Sequence, residues 1–136
     1  MHSSTVYLGN VQSSHKEIDN RSGVVAAGLA VYLHSNNGIN TTAASGALLG
    51  VSVGKSQSDT SRTAVCRKGI NVLILLDTGL TPVIGTQVQI STTTGKAVAS
   101  GTAVNAIYKS AVLSCIDEAG DAVTDGAALI DFQGGL

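Results

Sequence analysis

The chain has 136 residues, which is the size of one domain and enough to bury a core of its own. Hydrophobic residues make up 43% and charged residues 12%, so the composition excludes a disordered protein. Eight Lys and Arg against nine Asp and Glu give a net charge of −1. This balance argues against a protein that binds nucleic acid or acidic membranes, since both need a basic excess.

The first 22 residues are polar, with one short apolar patch at Tyr7, Leu8 and Val11. They predict an extended N-terminal arm (residues 1–22) with at most one short strand, and residues 23–136 form the single domain. Such an arm docks on a neighbouring subunit; the alternative is a frayed terminus. The arm lacks the basic start and apolar core of a secretory signal.

Short apolar segments separated by turn signals predict the strands of the first half, namely 23–33, 39–42, 48–53, 63–66 and 70–76. Gly50 is expected at a bulge or a close backbone contact. Residues 72–76 are apolar on both faces, which favours a central strand. Residues 43–49 have a short helix as the alternative. The longest apolar stretch is too short to span a membrane as a helix.

In the second half, residues 87–91 alternate between polar and apolar side chains, as a half-buried strand does. A hairpin turn at 92–96 follows, and residue 97 starts the return. Residues 105–116 predict one long strand, and 127–132 the last one, with an acidic turn between them. About eight to ten short strands with frequent turns are typical of an all-β protein. We expect a single β-sandwich or β-barrel, jelly-roll-like; the sequence leaves open which of the two.

The chain lacks the motifs of familiar catalytic sites. Residues 50–56 read G-x-x-x-G-K-S, one residue short of a phosphate-binding P-loop. The acidic stretch 117–125 does not follow the order of an EF-hand calcium loop, and a hairpin turn explains its Asp and Gly content. The three histidines, His2, His15 and His34, lie in the arm or beside a turn. We therefore predict no catalytic residue, no cofactor and no metal site, and a protein that is not an enzyme.

The remaining predictions concern the state of the two cysteines and the role of one basic cluster. Cys66 and Cys115 lie in apolar, strand-like settings without metal-ligand spacing, which favours two buried reduced thiols over a disulfide. Arg62, Arg67 and Lys68 form the basic cluster. They are either solvated strand ends or a contact to an acidic protein surface.

Three segments carry a resemblance to a known family. They read GVVAAGLAVY followed by GALLGVSVG, then RTAVCRKGINVLIL, then TPVIGTQVQISTTTGKAVAS. Together with the closing ALIDF strand, this pattern resembles the small capsid decoration (cement) proteins of tailed bacteriophages over residues 23–132. Its motifs are glycine placements and strand register. The family it resembles has no catalytic residues, so none is carried over.

The resemblance implies a structural virion protein on the outer surface of the phage head, assembled in the host bacterial cytoplasm. Its partners are the major capsid protein and itself, as a homotrimer rather than a dimer, with no nucleic acid and no membrane. The candidate contact residues are Tyr7, Leu8 and Val11 in the arm, the basic cluster, and Phe132 near the end of the chain. The alternative is a phage fibre or adhesin domain that recognises a host-surface carbohydrate or receptor.

Overall fold

A computed structural model of the protein describes residues 6–7, 15–19, 27–33, 39–40, 47–53, 62–117 and 120–134. This part of the chain contains no helix, and about 51% of it is strand. The all-β prediction is therefore confirmed. The described strands, in chain order, are β1 (Val6–Tyr7), β2 (His15–Asp19), β3 (Ala30–Leu33), β4 (Ile39–Asn40), β5 (Leu48–Ser52), β6 (Arg62–Cys66), β7 (Gly69–Leu75), β8 (Gln87–Ile90), β9 (Ala97–Val98), β10 (Thr102–Tyr108), β11 (Cys115–Ile116) and β12 (Ala127–Phe132).

The first sheet is antiparallel, in the order β2-β6-β5-β3-β4. Its edge strand β2 pairs with β6 over five positions, from His15 opposite Cys66 to Asp19 opposite Arg62. Both β1 and β2 lie within the predicted arm, so the expectation of at most one short strand there is wrong. Part of the arm is built into the sheet of the domain.

The second sheet is antiparallel, in the order β7-β12-β10-β8-β9. Strand β8 shows the alternation that the sequence predicts, with Val88 and Ile90 buried on the inner face. The two edges of this sheet meet at a parallel bridge between Leu76 and Ala97, where the Asp77 amide donates to the Ala97 carbonyl at 2.9 Å. The sheet therefore curls towards a barrel.

The two sheets are joined by the connection from β6 to β7 and share one hydrophobic core. The chain leaves β6 in the first sheet, turns through Arg67 and Lys68, and enters β7 in the second. The main hydrophobic cluster joins Val51 and Cys66 of the first sheet to Ile74 and Ile130 of the second. Because each sheet turns an apolar face to the other, burial of this shared core holds them together.

A smaller cluster covers the other face of β7. Leu73 and Leu75 pack there against Cys115 and Ala127. Residues 72–76 are all buried. The expectation that they form a central strand is wrong, because β7 lies at an edge of its sheet and Cys115 and Val123 cover its outer face.

The predicted long strand over residues 105–116 is divided. β10 ends at Tyr108 and β11 begins only at Cys115. Between them the Ser110 hydroxyl accepts a hydrogen bond from the Leu129 amide at 2.9 Å. A side chain thus takes the place of a backbone partner, which interrupts the regular ladder between β10 and β12.

Candidate interaction surface

The described residues offer no site for metal chemistry and no membrane-spanning helix. Nowhere among them do three His, Cys, Asp or Glu side chains come together in a way that could hold a metal ion. Nor does this part of the chain form a helix long and apolar enough to cross a membrane. The features that stand out chemically are exposed aliphatic side chains on the second sheet and its loops.

Five large aliphatic residues of the described chain are between 41% and 64% exposed. They are Ile70, Val83, Ile84, Ile107 and Val112. All five belong to the second sheet or to the loops that join its strands. Exposed aliphatic side chains are typical of protein–protein contact sites when they lie together in a patch.

Val83 and Ile84, which we call the aliphatic tip, lie on a turn just before β8. The preceding Pro82 is buried, and the Thr86 hydroxyl donates to the Val83 carbonyl at 2.6 Å. The Gly85 amide donates to the carbonyl of Tyr108 at 2.8 Å, which ties the turn to the end of β10. Because both ends of the turn are fixed, the two side chains are presented to solvent on a rigid support.

A second group, the outer row, crosses the exposed face of the same sheet. Ile107 on β10 is opposite Asp131 on β12, and Asp131 faces Ile70 and Asn71 on β7. Two residues of β7 oppose one of β12 here, so the pairing contains a β-bulge, and Asn71 has a positive φ of 55°. The Asn71 amide donates to Asp131 Oδ1 at 3.4 Å.

The charge in the outer row is balanced. Lys109 Nζ lies 3.7 Å from Asp131 Oδ2, with 45% of the lysine side chain and 19% of the aspartate side chain exposed. An exposed pair of this kind adds little to stability. Ile70 and Ile107 therefore lie beside an ion pair that carries no net charge.

The structure separates the basic residues that the sequence analysis grouped. Arg67 and Lys68 are exposed at the corner between β6 and β7. Arg62 begins β6, and five residues of extended chain span about 16 Å. Arg62 and the Arg67–Lys68 corner therefore lie at opposite ends of one strand and do not form a single cluster.

The remaining predicted contact residues have different outcomes. Tyr7 lies in β1, with its backbone paired to Ile116 of β11. Leu8 and Val11 lie outside the described residues. Phe132 is only 1% exposed and belongs to the main core. The expectation that Phe132 packs at a terminus or an interface is wrong, because its ring is buried in the core between the two sheets.

Both cysteines are buried, and no disulfide joins them, as the sequence predicts. Two of the three tyrosines, Tyr32 and Tyr108, are also buried, at 6% and 4% exposure. Desolvation by burial raises the pKa of each phenol above its usual value. Neither ring is therefore available to stack on a ligand at the surface.

Sequence reasoning missed the aliphatic tip. None of the predicted contact residues lies in 81–85, because aliphatic side chains such as Val83 and Ile84 are more often buried than exposed. The available signal was the pair of aliphatics between a proline and a glycine, which marks a turn rather than a strand. That signal locates the turn but does not give the exposure of its side chains.

Searches among protein-family models, curated proteins and solved structures found no significant match to this chain. The surface described above therefore has to be interpreted from its own chemistry.

Proposed function

We propose that this protein is a structural component of a tailed-phage virion. It binds the outer surface of the head and stabilises it by clamping neighbouring major capsid protein subunits, as the resemblance implies. The observation that carries the proposal is the exposure of five aliphatic side chains on one sheet and its loops. Exposed aliphatic side chains on a fixed backbone are common features of protein-binding surfaces.

The charge and composition of the chain support the same proposal. A net charge of −1 gives no long-range attraction to nucleic acid. The aliphatic tip gives a compact apolar contact, and the corner at Arg67 and Lys68 gives an exposed basic one. Many copies of such a domain on a shell add buried area between subunits, and oligomerisation multiplies each weak contact.

A carbohydrate-binding adhesin is less well supported. Sugar sites are usually built on exposed aromatic rings. This chain has no tryptophan, and the rings of Tyr32, Tyr108 and Phe132 are all buried.

The proposal is tested by mixing the purified protein with heads of the parent phage prepared without it, and pelleting the heads. We expect the protein to co-sediment at a fixed, saturable ratio. Val83→Asp with Ile84→Asp should weaken binding at least about tenfold, because two aliphatic contacts are replaced by desolvated charges.

The control is Thr92→Asp, which adds one negative charge at an exposed turn position at the other end of β8. It should bind as the unmodified protein does. If the unmodified protein stays in the supernatant at saturating concentration, the capsid role is wrong, and a glycan screen would test the adhesin alternative. Equal loss of binding in the tip variant and the control would remove the aliphatic tip from the contact.

A further inference from the structure

The strand β1 lies along the edge of β11. Val6 and Tyr7 pair in parallel with Cys115 and Ile116 of β11. Among the described strands, β11 is the one partner of β1, and the pair forms a sheet of its own. The N-terminal end of the chain is thus held to the domain by strand addition, a mode that proteins also use to bind separate chains.

The acceptor edge is fixed by the domain itself. The Val123 amide donates to the Cys115 carbonyl at 2.8 Å, and the amides of Leu113 and Ala127 each donate to the other's carbonyl, at 2.8 and 3.0 Å. Cys115 is 2% exposed and packs with Leu73 and Leu75. The acceptor is therefore pre-organised through contacts that do not involve β1.

The donor strand is small and parallel. β1 is two residues long, and parallel pairing is slightly less stable per residue than antiparallel pairing. Residues 8–14 separate it from β2, and a connection of seven residues reaches at most about 25 Å. A donor strand that is weakly held on a connection of this reach can leave its acceptor without breaking the two large sheets.

We infer that the Cys115–Ile116 edge accepts the Val6–Tyr7 strand of a second copy of this chain. Every copy carries both the donor and its matching acceptor, so exchange remakes the same backbone pairing and adds only the cost of association. Reciprocal exchange gives a closed dimer, and exchange in one direction around a ring gives a trimer. The inference goes beyond the proposed function, because it concerns contacts between copies of this chain and needs no capsid.

Position 6 and Cys115 offer a direct test because they are register partners. Neighbouring strands lie about 4.8 Å apart, within the Cα separation that a disulfide spans. Val6→Cys with Cys115→Ala gives a donor-only chain, and the unmodified protein is an acceptor-only chain. The two are mixed, equilibrated over a range of concentrations and oxidised with oxidised glutathione. The covalent products are then sized on a non-reducing gel and mapped by mass spectrometry.

Exchange predicts a covalent heterodimer linked between position 6 of one chain and Cys115 of the other, in a yield that rises with protein concentration. The donor-only chain oxidised alone is the control and should lack this link. The single variant Val6→Cys, which carries both thiols, reports whether β1 sits on β11 at all. A disulfide confined to single chains at every concentration would overturn the inference.

A second pair of cysteine substitutions controls for the possibility that Val6→Cys itself disturbs β1. Tyr7→Cys and Ile116→Cys are also register partners and can be divided between two chains in the same way, each carrying Cys115→Ala. Absence of the intermolecular link in both pairs overturns the inference. The test contains no capsid, so its failure leaves the capsid-binding proposal standing, and failure of capsid binding leaves strand exchange standing.

Discussion

Tyr32 and Tyr108 each bury a phenol hydroxyl that has no hydrogen-bond partner among the described residues. A buried hydroxyl without a partner loses its bonds to water and gains nothing in return. Tyr108→Phe should therefore keep the stability at neutral pH or raise it by up to about 1 kcal/mol, as measured by urea denaturation. A clear loss of stability in Tyr108→Phe would show instead that the hydroxyl has a hydrogen-bond partner in solution.

The same two residues predict how stability depends on pH. Burial raises the pKa of both phenols in the folded protein above the usual value of 10.0. The folded state then holds its protons where the unfolded state releases them, so stability is fully present below pH 10 and falls as the pH rises above it. The double variant Tyr32→Phe/Tyr108→Phe should lose less stability than the unmodified protein between pH 9 and 11. Parallel curves would contradict the assignment.

At the scale of strands, Gly50 sets how closely β5 approaches β6. A Cβ at this position would collide with the carbonyl oxygen of Cys66 and lie 2.8 Å from Val65 Cγ1. Because backbone cannot yield as a flexible side chain does, Gly50→Ala should destabilise the protein by about 1–3 kcal/mol. Denaturant midpoints measured at unchanged slope provide the test.

Gly79 is the matched control for Gly50. It has a φ of 79°, and nothing lies within 4 Å of the Cβ that alanine would add. Gly79→Ala therefore reports backbone strain alone, at about 1 kcal/mol. A Gly50→Ala cost no larger than the Gly79→Ala cost would mean that the first sheet relaxes around the new methyl group.

The sequence predicts local features well at this scale. The alternation of β8 and the close contact at Gly50 follow from period and residue type. The break after Tyr108 does not, because it depends on Ser110 meeting the Leu129 amide, which is nineteen positions away in the chain. The exposure of Val83 and Ile84 was equally inaccessible, since it depends on which other segments cover the turn.

At the scale of the whole molecule, the all-β class was predictable, but the path of the chain between the two sheets was not. That path places Lys68 at an exposed corner, away from the aliphatic tip in sequence and on a different connection. If the corner meets an acidic capsid surface, Lys68→Glu should weaken head binding roughly fivefold at low ionic strength. The effect should shrink as salt is added, because exposed charges are screened.

Lys96→Glu is the control for this variant, because it makes the same change in charge on the hairpin between β8 and β9. We expect head binding by Lys96→Glu to match that of the unmodified protein at every salt concentration. A loss of affinity that is equal in both variants would indicate a response to net charge, and the corner would then have no specific role.

The run Val72-Leu73-Ile74-Leu75-Leu76 is the kind of segment that seeds amyloid when it is left uncovered. In the folded chain its free edge is occupied, because the Leu75 amide donates to the Gly28 carbonyl at 2.8 Å and the Leu76–Ala97 bridge follows directly. Both faces are covered as well. The strand most prone to fibril growth is thereby protected, and that protection arises only when residues distant in sequence have docked.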